Sequence, residues 1–311
     1  MGFDRAARQR HKRAVTEPST IPQVFDRALQ RQRLARALKM PAADFLLVRA
    51  VEDMEARLQA TLRPFPHVLD LGTPAPHLAA MLAGEDKGRT ITRAAPLAEQ
   101  DSSATDRAGW KTIVADEEVQ PFAPESFDLV VSALSLQWVN DLPGALIQIR
   151  QALAPDGLFL ACMMGGQTLQ ELRAALAQAE DELTGGASPR VAPFADLRDM
   201  GGLLQRAGFA LPVTDIDTIR VRYNDMFGLM ADLRAMGATN TLVQRLKTPS
   251  QRAVFLRAAE IYSQLFADLD GRVHATFEIV WLSGWAPHES QQKPLKPGSA
   301  KMRLADVLGK R

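Results

Sequence analysis

Residues 66 to 83 read Pro66-His-Val-Leu-Asp-Leu-Gly-Thr-Pro-Ala-Pro-His-Leu-Ala-Ala-Met-Leu-Ala83. The apolar run Val68 to Leu71 stops at Gly72, turns through four residues and resumes as an apolar helix at His77. Strand, tight turn and helix make the opening unit of an open α/β sheet, in which ligands sit outside the carboxyl ends of the strands. Such a turn favours glycine, because the backbone must approach the ligand and aim its N–H groups from the helix start. Here only Gly72 serves, followed by Thr73, Pro74, Ala75 and Pro76. Neither proline has an N–H to give.

Downstream the alternation repeats. Strands are expected at 88 to 93, 111 to 115, 127 to 132 and 158 to 164. Between the last two, a helix starts at the N-cap Asp141 with Pro143 in its first turn and runs to Leu153. Pro155-Asp-Gly157 reads as the turn into the strand from Leu158, and Thr168 with Glu171 reads as a capping box opening the next helix. Residues 99 to 109 read as a loop or short helix. A helix at 195 to 207, a half-exposed strand at 213 to 223, helices at 225 to 236 and 250 to 268, and a last strand from Val273 to Trp285 complete the pattern. The fold expected is α/β, a doubly wound, seven-stranded, Rossmann-like sheet with a helical lid before the last strand.

Two helices precede the sheet. Phe25, Leu29, Leu34 and Leu38 recur at near-helical spacing in the first, which has a basic outer face. Leu46, Leu47, Val51, Met54 and Leu58 form the apolar stripe of the second, about 43 to 62. Both are placed to cover the ligand crevice. The expected organisation is a basic arm at 1–22, N-terminal helices at 23–64, a core at 65–224, a lid at 225–270, the last core strand at 271–286 and a tail at 287–311.

Bulk properties exclude more than they assign. The 311 residues are 46% hydrophobic and 23% charged with net charge +1, which supports no bulk case for nucleic acid. The lone Cys162 excludes an internal disulfide and a cysteine zinc site, and its apolar run argues for a buried thiol. The histidines are scattered, so no metal site is expected. No apolar stretch is long enough to span a membrane, and no h-region is seen, so a cytoplasmic protein is expected. The arm residues Arg5, Arg8, Arg10, Lys12 and Arg13 read as disordered, or as a docking segment for peripheral association with an anionic membrane surface.

The strand-tip words Val68-Leu-Asp-Leu-Gly72, Ala115-Asp-Glu-Glu118, Phe127-Asp-Leu-Val-Val131, Leu134-Ser-Leu-Gln-Trp138 and Leu153-Ala-Pro-Asp-Gly157 resemble class I S-adenosylmethionine-dependent methyltransferases. Leu233-Arg-Ala-Met-Gly-Ala-Thr239 and the final strand are similar to two groups within that class. These are the malonyl-carrier-protein methyltransferases of biotin synthesis and the assembly factor 5 family of respiratory complex I. Val24-Phe-Asp-Arg-Ala-Leu29 and the tail Gly284-Trp-Ala-Pro-His-Glu-Ser-Gln291, with Pro294 and Gly298-Ser-Ala300, resemble the second group.

The resemblance implies a methyltransferase-type sheet that binds S-adenosylmethionine and modifies a protein substrate, an arginine of an NADH dehydrogenase subunit. By position, Asp70, Gly72, Thr73, Asp116, Glu117 and Ser132 match the cofactor side, and Ser135, Gln137, Trp138 and Arg234 the substrate side. The chain departs from the family pattern at Pro74 and Pro76, and at Arg93 and Ala94, near which the ribose-binding carboxylate is expected. No catalytic residue is singled out. The alternatives are a non-catalytic assembly protein with a degenerate cofactor site and a malonyl-carrier-protein O-methyltransferase.

Overall fold

A computed structural model describes residues 22–85, 88–98, 109–194 and 196–292. The basic arm up to residue 21, the loop at 99–108 with Glu99, the start of the 195–207 helix at Ala195, and the tail beyond 292 with Pro294 and 298–300 lie outside them.

Seven strands form one mixed sheet: β1 (His67–Leu71), β2 (Thr90–Ala95), β3 (Trp110–Val114), β4 (Phe127–Ala133), β5 (Leu153–Met164), β6 (Ala210–Tyr223) and β7 (Val273–Trp285), in the order β3-β2-β1-β4-β5-β7-β6. The first five run parallel, while β7 pairs antiparallel with both β5 and β6. The order reverses at β1 and β4, so the tips of β1, β2, β3 and β4 surround one crevice.

The helices are α1 (Arg27–Ala37), α2 (Phe45–Gln59), α3 (His77–Glu85), α4 (Leu142–Ala152), α5 (Gln170–Thr184), α6 (Leu197–Arg206), α7 (Met226–Ala235) and α8 (Arg252–Phe266). One apolar cluster joins α2, α3, α5, α7 and α8 to one sheet face; a second joins α4 and α6 to the other. Asp141 caps α4 as expected, accepting from the Gly144 N–H at 2.9 Å. Every expected core leucine of α2 is buried, with Val51 and Met54.

Three local expectations need correction. First, Thr168 and Glu171 form no capping box: α5 begins after Leu169, which adopts φ +56° with no side-chain cap. The two residues are drawn instead to β7. Thr168 Oγ1 exchanges hydrogen bonds with the backbone of Glu278, and Glu171 accepts from the N–H and hydroxyl of Thr276. Stitching helix to sheet satisfies strand groups that a helix cap would leave bare.

Second, Pro155-Asp-Gly157 does not precede β5 but lies within it. The register jumps from Phe127 opposite Leu153 to Leu129 opposite Leu158, so the intervening residues bulge, with Asp156 at φ +62°. The early tail packs on this bulge: Ala286 N–H donates to Gly157 O at 2.8 Å and Gln291 Nε2 to Asp156 Oδ1 at 2.9 Å.

Third, α1 buries Gln30, Leu34 and Ala37 rather than Leu29 and Leu38, and Leu38 is exposed. Phe25 is buried ahead of the helix, in a β-bridge to Leu242. Cys162 is fully buried, and burial pushes its thiol up to about 12.

Candidate functional site

The crevice contains a cavity of about 440 Å³. Its floor is Gly72, Pro74 and Ala75 after β1, Pro96 after β2, Glu117 after β3, and Leu134, Ser135, Gln137 and Trp138 after β4. Its roof comes from α1, from the chain between α1 and α2, and from the segment running out of α7, Leu233 to Thr241. Six of the expected site residues therefore meet at one cavity: Gly72, Glu117, Ser135, Gln137, Trp138 and Arg234.

The other four stand elsewhere. Asp70, Thr73 and Ser132 are fully buried and do not line the cavity: β1 and β4 carry Asp70 and Ser132 inside the sheet's packing layer, and Thr73, in the turn after β1, is drawn under the loop, its hydroxyl accepting from the Ala133 N–H at 3.2 Å. Asp116 stands beside the cavity, turned toward α1, where Arg27 Nη2 reaches its Oδ1 at 2.8 Å and Arg31 its other oxygen. Burial works against its charged form, but the Glu118 N–H, Arg27 and Arg31 together hold this carboxyl below its usual range.

Beneath the loop lies a buried ion pair. Arg93 Nε is 3.8 Å from Asp70 Oδ2, and Arg93 Nη2 donates to the Thr73 carbonyl at 2.9 Å. The two residues are neighbours in register across β1 and β2. Burial raises the Asp70 carboxyl to about 7 despite Arg93 and the Thr73 hydroxyl, and burial lowers Arg93. Arg93 thus cannot serve as the missing ribose acceptor. It is a floor residue that pins the turn, while β2 continues to Ala95.

Gly72 adopts φ +75°, and its N–H donates to Ala94 O at 2.8 Å. A Cβ there would stand 2.2 Å from Ser135 Oγ and 2.6 Å from Glu117 Oε1, so only glycine fits this floor. Ser135 Oγ donates to Glu117 Oε1 at 2.8 Å, and the other Glu117 oxygen meets Arg27. Arg27 also donates to the Trp138 carbonyl at 3.4 Å. Glu117 is 3% exposed, so its charge is matched inside the protein by α1.

Sequence reasoning missed what holds the roof. Asn140 Oδ1 accepts from the N–H groups of Val24 and Phe25, both at 2.8 Å, and its Nδ2 donates to Phe25 O at 3.2 Å. On the other side Asp26 N–H donates to Thr241 O at 2.8 Å, and Val243 N–H to Val24 O at 2.9 Å. Phe25 and Phe194 set their rings edge-on to Trp138. No local signal in the sequence marks these contacts, because Asn140 lies more than 110 residues from Val24 and Phe25.

The basic outer face of α1 is only partly turned to solvent. Arg27 and Arg31 pair with Asp116, and Arg33 donates to Thr239, whereas Arg36 and Lys39 stay exposed.

Strand order, switch point and crevice define a protein of the class I S-adenosylmethionine-dependent methyltransferase fold. A methyltransferase domain model matches residues 69–161. The solved YcgJ protein of Bacillus subtilis superposes with a TM-score of 0.54 at 14% identity, over 77% of this chain and 99% of that one. Arginine-hydroxylase NDUFAF5 of zebrafish (Danio rerio) is 40% identical over 287 residues, 91% of this chain and 89% of that protein. The human protein of the same name is 42% identical over 304 residues, 96% of this chain and 86% of its own. The chain belongs to this arginine-hydroxylase NDUFAF5 family. The malonyl-[acyl-carrier protein] O-methyltransferases are more distant, that of Methylovorus being 34% identical over 85% of this chain and 90% of its own.

The fold is one that binds S-adenosylmethionine, and the crevice accommodates that group in outline. Gly72 permits the close approach, and Pro96, Glu117, Leu134 and Ser135 stand around it at the strand tips. Its hydrogen-bonding complement is reduced. Positions 74 and 76 lack an N–H, and the described residues following β2, 96 to 98, hold no carboxylate.

Proposed function

We propose that this chain modifies an arginine of a protein substrate, an NADH dehydrogenase subunit, during complex I assembly. Family membership supports the reaction class, since the zebrafish and human relatives are named arginine-hydroxylases. The observation that carries the reading is the single cavity in which the strand-tip floor meets the roof of α1 and 233–241. A side chain entering beside Trp138 and Arg234 would come to rest over Gly72, at the cofactor crevice.

In this reading Gly72 leaves room for the ligand, and Arg93 fixes the Thr73 carbonyl so that the turn keeps its shape. Gln137 and Trp138 face the substrate, and Arg234 sits at the rim. For a methylation, bound S-adenosylmethionine would supply the electrophilic methyl group; a hydroxylation would take its oxygen from a separate oxidant. Orientation by the cavity walls is then the protein's main contribution. A cytoplasmic location belongs to the same reading, although the relatives are named mitochondrial. Among the described residues no helix is long and apolar enough to cross a membrane.

Mass spectrometry of complex I subunits from cells with and without this gene tests the proposal. Loss of an oxygen or a methylene from one arginine on deletion is expected, and which of the two is lost identifies the chemistry. Unaltered arginines alongside failed assembly would favour the scaffold alternative, which the loss of loop N–H groups at Pro74 and Pro76 supports.

A further inference from the structure

We propose that the end of the cavity beyond the cofactor crevice binds the hydrocarbon chain of a fatty carboxylate, with the head group at Arg234. The proposal goes beyond the arginine reading and does not depend on it. The cavity is lined by Pro96, which follows β2, and by Phe277 on β7, with β1, β4 and β5 between those strands. Four strand spacings make about 19 Å, so the cavity is elongated across the sheet. Ile279 stands opposite Met164, the last residue of β5, which puts Phe277 past that strand's tip, at the same end of the sheet as the crevice.

The elements at this far end supply almost nothing polar. α5, α7, α8 and β7 line the cavity with Leu172, Leu176, Met230, Leu233, Phe255 and Phe277, and Arg234 is the one polar side chain they add among the described residues. Met230 and Phe255 are only half-buried, as are Met164 and Val191 from the neighbouring segments, and all four line the cavity. Covering apolar surface of this kind is what draws a hydrocarbon into a pocket, and methionines adapt to its shape. Thr168 and Arg190, also in the wall, are engaged with the Glu278 backbone and with Glu180. A peptide segment fits this end poorly, because its N–H and C=O groups would find no partners among the apolar side chains.

The head group is chosen by Arg234. Met230 and Arg234 lie one turn apart on the same face of α7, so the cation stands at the rim beside the apolar wall. Arg234 is exposed, and among the described residues no carboxylate is bonded to it. A carboxylate held there by the guanidinium fork would send its chain past Met230 and Leu233 toward Phe277. A free fatty acid and an acyl group borne on a carrier share the chain, and the free carboxylate is what Arg234 adds to the choice. The carboxylate of S-adenosylmethionine is the competing anion, and the test separates them.

The delipidated full chain and its Val191→Phe, Met230→Trp, Arg234→Gln and Arg234→Lys variants are titrated by calorimetry with hexanoate, octanoate, decanoate, decanoyl-pantetheine, decyltrimethylammonium and S-adenosylmethionine. Affinity should rise about fourfold for each methylene from hexanoate to decanoate. Val191→Phe and Met230→Trp, which fill the far end, should weaken decanoate about tenfold or more while S-adenosylmethionine changes by less than about twofold. Arg234→Gln should weaken decanoate about tenfold, the scale of one charged hydrogen bond, and Arg234→Lys should recover most of that loss. Decyltrimethylammonium should bind about tenfold more weakly than decanoate. Binding that ignores chain length, or filled variants that bind decanoate like the wild type, overturns the site. An equal loss of S-adenosylmethionine in the filled variants gives the space to the cofactor and overturns it too. Decanoyl-pantetheine binding more tightly than decanoate, unmoved by Arg234→Gln, overturns the carboxylate assignment in favour of a carrier-borne acyl group. If Met230→Trp fails to fold, Val191→Phe and the chain-length series carry the test. None of these results bears on the arginine reading, which the mass spectrometry above tests.

Discussion

Asp70 and Arg93 show how a buried charge pair shapes the floor of a site it never touches. Both are essentially inaccessible, and each is the main electrostatic neighbour of the other. Above pH 7, where Asp70 is ionised, truncating Arg93 to leucine would strand a buried carboxylate and deprive the Thr73 carbonyl of its donor, so a loss of about 3–5 kcal/mol is expected on denaturant unfolding at pH 8. A loss below about 1 kcal/mol, the range of an exposed pair, would contradict the burial argument.

The pH dependence has a definite sign. The folded Asp70 carboxyl, at about 7, holds its proton through a range in which the unfolded carboxyl, near 4, has released it. Its stabilising contribution is full below the unfolded value and falls as pH rises toward 7. Asp70→Asn should flatten that decline in chemical denaturation between pH 5 and 8, and an unaltered slope would assign the decline to another group. Pro74→Gly addresses the ligand side. Restoring one N–H is worth about 0.5–1.5 kcal/mol, or a few-fold to tenfold tighter S-adenosylmethionine binding in calorimetry. No gain would mean that the N–H at 74 is not the missing contact.

At the scale of elements, α1 is held as a roof by its flanking chain more than by its own stripe. Residues 23 to 26 are clamped between Asn140 and 241–243, and the arginines of the first turns of α1 lock onto the loop after β3. Asn140→Ala would leave the Val24 and Phe25 N–H groups without their acceptor. A cost of about 1–3 kcal/mol is expected, with faster limited proteolysis at the head of α1. Wild-type cleavage rates would show that the Leu242 bridge alone suffices. For partner contacts, Arg36 and Lys39 are the informative positions to reverse, since Arg31 and Arg33 already bond within the chain.

Over the whole molecule the crevice joins two kinds of structure. The floor belongs to parallel strands buried in both apolar clusters; much of the roof is a short helix and connecting chain held by side-chain bonds. Hydrogen exchange should therefore find the amides of α1 and 233–241 opening well before those of β1, β4 and β5. S-adenosylmethionine or an arginine-bearing substrate should slow exchange in the roof more than in the sheet. Uniform protection across roof and sheet would show that the two open as one unit.

The strand runs 68–71, 127–132 and 273–285 were legible because apolar runs bounded by turn residues leave little else for the chain to form. The Asp141 cap and the stripe of α2 were legible because they depend on neighbours within one or two turns. Thr168 and Glu171 had the spacing of a capping box, yet β7, more than 100 residues away, offered them better partners. Arg93 looked like a substituted cofactor contact until its register against Asp70 placed it beneath the loop. The polar Gln30 and Thr241 gave no local sign of sharing one cavity wall. Sequence by itself determined the elements, their order and the glycine at the crevice, since these follow from periodicity and backbone sterics. Only the tertiary structure decided which charges pair, which helix face is buried and which residues share the cavity wall, because those depend on distances between segments far apart in the chain.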